Sequence, residues 1–310
     1  AIALARSANT ARSYANAMQA FIITLEKHDL PSDSTRSKDL PEEAVAWFAD
    51  DLKEFAPTTE RLYLTALHRF FEYLAGEALG NPNLARVSLL IRQRSRRPGQ
   101  RLPQFPREQI EKILDYTINL ATNQPRDLPH RLRNLRDRAF LLTLADTGLR
   151  VHEACSLRRG DIDWSEGKAV IIGKGDMEAV VRFSTRSLAA IKNYLAERNQ
   201  IDGKSRKALS SLPLFARHDK GAGEKVKPIT TATGRNIVEY HVRSVLGDEA
   251  VGRITPHSFR HYFVTTVLLG SGGNLKLAQE LARHKNISVT QRYAHLSNNE
   301  LDQGYREIFQ

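Results

Sequence analysis

Four side chains near the C-terminal end of the sequence could act together on a phosphate ester: His257, Arg260, His284 and Tyr293. They fall within TPHSFRHYFVTTVLLGSGGNLKLAQELARHKNISVTQRY, residues 255–293. An arginine presents a planar fork of donors that fits two phosphate oxygens. An imidazole can hold the same group or accept a proton near neutral pH. A tyrosine hydroxyl, with a pKa of about 10, becomes a nucleophile once something takes its proton. The set spells phosphoryl transfer with a tyrosine nucleophile.

Local signals say how these residues are held. Thr255-Pro256 reads as a helix start, a hydroxyl N-cap followed by proline at the first helical position. His257 and Arg260 share a face at i, i+3, beside a helix N-terminus that favours anions. Phe259, Phe263, Val264, Val267 and Leu268 turn the other way, into a core. Gly270-Ser271-Gly272-Gly273 ends the helix. A second helix over 275–282 delivers His284, and a short third one delivers Tyr293.

The 310 residues are enough for two domains, each with its own core. Hydrophobic residues at 41% and charged ones at 26% are ordinary for a globular protein. The charge balance is not ordinary: 46 Lys+Arg against 35 Asp+Glu give +11, with a pI of about 9.8. That balance calls for a polyanionic partner, and with no long apolar span the partner is nucleic acid before membrane. The single cysteine, Cys155, excludes an internal disulfide framework and fits a reducing cytoplasm. The opening AIALARSANTARSY lacks the apolar run and cleavage site of a secretory leader. Without an initiator Met, the natural N-terminus can lie further upstream.

Taken in order, residues 12–28, 41–53, 57–74 and 84–91 carry apolar positions at helical spacing and read as a domain of about four helices. Between Arg86 and Arg107 lie seven arginines and no carboxylate: Arg86, Arg92, Arg94, Arg96, Arg97, Arg101 and Arg107. Punctuated by Pro98, Gly99 and Pro103, this run reads as an extended interdomain linker that tracks DNA phosphates. Helices are expected at 107–121 and 132–146, the latter closed by Gly148 as a C-cap. Three β-forming stretches, 161–164, 168–172 and 178–183, predict a small antiparallel sheet. Helices resume at 185–197 and 230–246, and the stretch 200–227, apart from 212–215, reads as a mobile loop. A last helix is expected at 298–309. No internal repeats are visible.

The ordered set HxxR, then ARH, then tyrosine nine residues on resembles the signature of the tyrosine recombinase (phage integrase) family. TGLRVHE, residues 147–153, closely matches the family's first-arginine motif, TGxRxxE, and adds Arg150 and Glu153. Lys174, at the tip of a GKG turn between two strands, matches the family's β-hairpin lysine. Two positions depart from the pattern. Asp176-Met177-Glu178 stand where basic residues usually follow GKG, and Arg283 stands where the family usually has glycine. A bulky residue there either perturbs the backbone around His284 or adds a phosphate contact.

The resemblance covers nearly the whole chain and is closest to the simple Xer-like recombinases. It implies a mainly α fold with a small antiparallel β-sheet: a helical, SAM-like core-binding domain over 1–97, marked by S-x-x-T-x-x-S-Y at 7–14, a basic linker over 98–105, and a catalytic domain over 106–310. The two domains would form a C-shaped clamp on duplex DNA. The implied reaction is cleavage by Tyr293 to a 3′-phosphotyrosyl bond and a free 5′-hydroxyl, with strand exchange through a Holliday junction. Arg150 and Arg260 would hold the non-bridging oxygens, and His257 and His284 would bond the phosphate or take the tyrosine's proton. Lys174 would protonate the leaving oxygen, and Glu153 would orient Arg150 or a histidine. The covalent bond conserves the energy, so no cofactor, ATP or metal is required. The implied partners are duplex DNA, three further copies in a synaptic tetramer with the last helix docked on a neighbour, and accessory or partner recombinases, in the cytoplasm at the nucleoid.

Other motifs fail. GKG lacks the spacing and the Ser/Thr of a P-loop, and Gly270–Gly273 follows a helix where a dinucleotide fingerprint would follow a strand. His152-Glu153 lacks a second zincin histidine, and no Cys/His cluster offers zinc ligands. Two readings stay open beside recombination: a type IB topoisomerase or telomere resolvase, and a catalytically silent DNA-binding protein of the same fold.

Overall fold

The computed structural model describes residues 8–31, 33–96, 106–122, 127–172, 178–219, 221, 225–291 and 293. The expected linker 98–105 with Arg97 and Arg101, the GKG turn with Lys174, and the expected helix 298–309 lie outside the described residues. The chain separates into two compact units, Ala1–Arg101 and Leu102–Gln310.

In the first unit, α1 (Ala8–Lys27), α2 (Ala44–Asp51), α3 (Pro57–Gly76) and α4 (Leu84–Arg94) enclose one core. The i, i+3 and i, i+4 apolar positions of the sequence supply it: Phe21, Phe48, Leu64, Leu67, Phe71 and Val87 are all buried. Phe21 meets Phe48 edge-on at 5.3 Å, the arrangement that ring quadrupoles favour. Pro57 opens α3, and the Asn83 side chain caps α4 by accepting from the Arg86 N–H at 3.0 Å.

Helix α4 runs three residues past its expected end at Ile91, and this corrects the reading of the arginine run. Arg92 and Arg94, like Arg86 in the expected helix, stand on a helix and not in an extended linker. Arg86 pairs with Glu43, and Arg94 pairs with Asp50 at 2.6 Å. Arg96 clasps the fully buried Glu60 through its N–H (2.7 Å) and Nε (2.5 Å), and Lys53 Nζ lies 3.1 Å from the same carboxylate. Burial pushes the Glu60 carboxyl up, but Arg96 and then Lys53 bring it, on balance, below the usual range. The carboxylates that compensate these arginines come from positions 43, 50 and 60. A window around the run shows none of them.

In the second unit, α5 (Arg107–Thr122) and α6 (Leu128–Thr147) lead to the short α7 (Val151–Ser156). The expected small antiparallel sheet follows: β1 (Ile162–Asp163), β2 (Lys168–Ile172) and β3 (Glu178–Arg182), in the order β1-β2-β3, with Ala169 paired to Ile162 on one side and Val181 on the other. Then come α8 (Thr185–Lys204), α9 (Thr231–Leu246), α10 (Pro256–Gly270), α11 (Leu275–Ala282) and α12 (Ile287–Gln291). Helix α8 outruns its expected end at 197, so the mobile loop expected from 200 begins as helix. The cause is a fully buried i, i+4 pair, Arg198 with Asp202 at 2.8 Å. Arg198 also donates to the Pro213 and Leu214 carbonyls at 2.8 and 3.0 Å, fixing the buried 212–215 segment against the helix.

The turn that leaves α6 positions the chemistry. Gly148 caps that helix at φ +60°, and an added Cβ there would lie 2.4 Å from the Phe263 ring. Only glycine combines the left-handed turn with that close approach. The turn presents Arg150 as the N-cap of α7, and Phe263 belongs to α10, which carries His257 and Arg260.

Candidate active site

Arg150 leaves its side chain 44% exposed and donates from Nη1 to Glu153 Oε1 at 2.8 Å. Glu153, buried, also accepts from the Arg150 backbone N–H at 2.8 Å, so one carboxylate caps α7 and aims the arginine. From the far side Arg283 Nη2 reaches the other oxygen of Glu153 at 3.2 Å and the Gly148 carbonyl at 3.3 Å. Arg260, only 3% exposed, donates to the carbonyls of Gly148 and Ala282. Segments at 148–153, 260 and 282–283 are thus tied into one cluster.

Helix α10 begins as its sequence predicts, with Thr255 at the cap, Pro256 in the first turn and the Thr255 N–H bonded to Ser258 Oγ at 3.0 Å. His257 and Arg260 accordingly stand in its first turn and a half. His284 follows α11, where its Nδ1 pairs with Thr290 Oγ1 at 2.9 Å. Between them Arg283 adopts the left-handed conformation, φ +56° and ψ 44°. This explains why glycine suits the position. The arginine closes α11 as its C-cap and turns its guanidinium inward to Glu153.

Charge accounts for the character of the pocket. Arg150 and Arg283 pair with Glu153 while Arg260 bonds carbonyls, so among the described residues three guanidiniums share one nearby carboxylate and two positive charges are left uncompensated. Burial, with repulsion from Arg150 and Arg283, pulls Arg260 down to about 9, so it stays charged at neutral pH. Burial also lowers Arg283, offset by Glu153 and reinforced by Arg150. The Glu153 carboxyl is pushed up by burial, yet the Arg150 N–H and guanidinium and then Arg283 hold it, on balance, below the usual range. Burial and the neighbouring arginines lower His257 and take His284 to about 4, so these imidazoles are neutral at pH 7. A partly desolvated cluster with excess positive charge and neutral hydrogen-bonding rings suits an anion.

Tyr293, 4% exposed, packs among Val264, Leu268, Ala278 and Ala282. Its hydroxyl does not meet either catalytic-motif histidine. It is bonded to Nδ1 of His261, with ring centroids 5.3 Å apart. His261 in turn lies edge-on to His257 at 4.3 Å, and burial, with His257 and Arg260, takes it down to about 4. Sequence reading passed over His261. The signal was present as HSFRH, which puts a second histidine at i+4 on the face of His257. Of the seven site residues read from the sequence, Arg150, Glu153, His257, Arg260, His284 and Tyr293 are gathered here; Lys174 lies outside the described residues.

Residues 104–300 match the family described as "Phage integrase family". The chain is similar to tyrosine recombinase XerC of Halalkalibacterium halodurans, 32% identical over 82% of this chain and 76% of that protein. It is similar also to tyrosine recombinase XerC of Staphylococcus aureus, 29% identical over 96% of this chain and 90% of that one. Among solved structures, XerH site-specific recombinase bound to palindromic difH substrate superposes with a TM-score of 0.68 at 20% identity, over 95% of this chain and 78% of that one. A lambda integrase dimer bound to a COC′ core site gives 0.57 at 18% identity, over 93% and 89%. At these identities the two structures establish the fold.

Proposed function

The chain belongs to the phage integrase family and is a site-specific DNA recombinase with a tyrosine mechanism; we propose that Tyr293 is its nucleophile. The observation that carries this assignment is the cluster of three guanidiniums, Arg150 and Arg283 on the Glu153 carboxylate and Arg260 on the Gly148 and Ala282 carbonyls, with Tyr293 bonded to His261. Arg150 and Arg260 grip the non-bridging oxygens of a scissile phosphate and stabilise the charge that develops on it. His257 and His284, neutral, hydrogen-bond the same group. Glu153 holds Arg150 in place with Arg283 behind it, and Lys174 protonates the departing 5′-oxygen.

Attack by Tyr293 leaves a 3′-phosphotyrosyl bond and a free 5′-hydroxyl. The reverse attack by another duplex's 5′-hydroxyl exchanges strands through a Holliday junction. The helical first unit serves as the core-binding domain, with Arg92, Arg97 and Arg101 beside the backbone, and four copies assemble on two sites in the cytoplasm at the nucleoid.

A library of nicked duplexes with a randomised core tests the assignment. After a denaturing wash, only covalently held DNA should remain, and peptide mapping should place it on Tyr293. Tyr293→Phe should bind the selected duplex and retain none after the wash, and EDTA should not reduce the parent's yield. An adduct on the Phe variant, or on another residue, would refute the assignment.

A further inference from the structure

We propose that His261 is the group that takes the proton of Tyr293 during cleavage. The assignment deepens the reading of Tyr293 as nucleophile and rests on it. The tyrosine hydroxyl is bonded to Nδ1 of His261 inside a wall of Val264, Leu268, Ala278 and Ala282, where water has little access. His284, the motif histidine nearest in sequence, has its own Nδ1 occupied by Thr290 Oγ1 at 2.9 Å. His257 lies edge-on against the His261 ring at 4.3 Å, and both feel the Arg260 charge. The phosphate-holding and proton-taking groups therefore lie side by side on one face of α10 yet remain distinct. Spacing makes this possible: positions 257, 260 and 261 are i, i+3 and i+4.

The step balances. The Oη–H bond breaks and its proton passes to Nδ1 as Oη bonds to phosphorus. The P–O5′ bond breaks, and its oxygen takes a proton from a separate donor, Lys174 in the mechanism above. His261 ends as an imidazolium and returns the proton when the strand is rejoined. The groups facing His261 among the described residues are His257 and Arg260 on its own helix, His284 beyond α11, and Tyr293. In the free protein burial and Arg260 keep the imidazole neutral, with a lone pair to accept. A bound phosphodiester offsets the arginine's charge and raises the imidazole's proton affinity toward the working pH, where a general base is most effective.

Single-turnover cleavage of a selected nicked duplex from pH 6 to 10 tests the proposal. His261→Ala should bind as tightly as the parent but cleave about 10²–10³-fold more slowly at pH 7. Its rate should climb about tenfold per pH unit as hydroxide replaces the base, narrowing the gap toward pH 10. Added imidazole should speed the Ala variant and leave the parent unchanged. His261→Asn, which can accept the hydroxyl's hydrogen bond but not its proton, should stay as slow as Ala. Parental rate and pH profile in either variant would overturn the proposal, the Asn case leaving His261 a positioning residue only. Because Tyr293→Phe reads the nucleophile separately, a normal His261 variant beside an inert Phe variant overturns the base alone; an adduct on the Phe variant removes the premise.

Discussion

Replacing Arg283 by glycine should make the second unit more stable and less active. The arginine holds a left-handed backbone, φ +56° and ψ 44°, which costs an L-residue about 1–2 kcal/mol and costs glycine almost nothing. Its Nε and Nη1 are buried without a hydrogen-bond partner among the described residues, at about 1 kcal/mol or more each. Against this stand contacts of Nη2 alone, 3.2 Å to Glu153 and 3.3 Å to the Gly148 carbonyl, both long for charged partners. A charged hydrogen bond contributes about 1.5–3 kcal/mol, and Glu153 keeps Arg150 when Arg283 is gone. The balance favours glycine by about 1 kcal/mol, or about 2–4 °C in the melting temperature of a unit this size. Cleavage should fall about 10–100-fold, the scale of losing a supporting partner, because Glu153 and Arg150 lose their brace. Arg283→Ala separates the terms: it deletes the guanidinium but keeps the left-handed Cβ, so it should melt about 2–4 °C below the glycine variant. Scanning calorimetry and single-turnover cleavage on the same preparations read both effects. A glycine variant that melts below the parent, or level with alanine, would refute the reasoning.

Acid should unfold the second unit early. His261 and His284 are held at about 4 and His218 at about 3, chiefly by burial, against about 6.5 in an unfolded chain. The unfolded state takes these protons first, so stability is full above about pH 6.5 and falls by up to about 1.4 kcal/mol per pH unit for each histidine as pH drops toward 4; urea unfolding that is flat from pH 6.5 to 4.5 would contradict this. In the first unit, Arg96→Ala should lower the melting temperature by weakening the clasp on Glu60. Arg92→Ala, at an exposed position on α4, should leave stability alone and reduce the slope of log K against log salt by about 1; the opposite assignment of effects would exclude Arg92 as a phosphate contact. Lys174→Ala should slow cleavage of ordinary DNA by about 10²–10⁴-fold and recover on a duplex with sulfur at the 5′-bridging position, since a thiol with pKa about 8.5 leaves without an acid. Equal defects on both substrates would show that Lys174 donates no proton.

Periodicity exposed the helices and the small sheet because each is a local pattern repeated over several turns. It failed where a distant partner decides. Helix α8 continues past 197 because Asp202 meets Arg198 in a fully buried pair, and α4 carries arginines whose carboxylates lie at 43 and 50. Gly148 announced a helix end, but not that Phe263 sits where its side chain would be. The candidate site divides the same way. Arg150, His257, Arg260, His284 and Tyr293 were legible as ordered types at set spacings, whereas His261 was one more histidine until the tyrosine hydroxyl lay against it. Arg283 was legible as a departure but not as a brace, since that depends on Glu153, 130 positions away. The pocket's excess positive charge belongs to no segment. It arises only when the turn at 148–153, the first turns of α10 and the end of α11 close on one carboxylate, and the same closure that concentrates the guanidiniums keeps the nearby histidines neutral. In the mechanism proposed for Tyr293 and His261, anion binding and proton acceptance are one design, because the charge that would draw a phosphate in also prepares the base that its arrival completes.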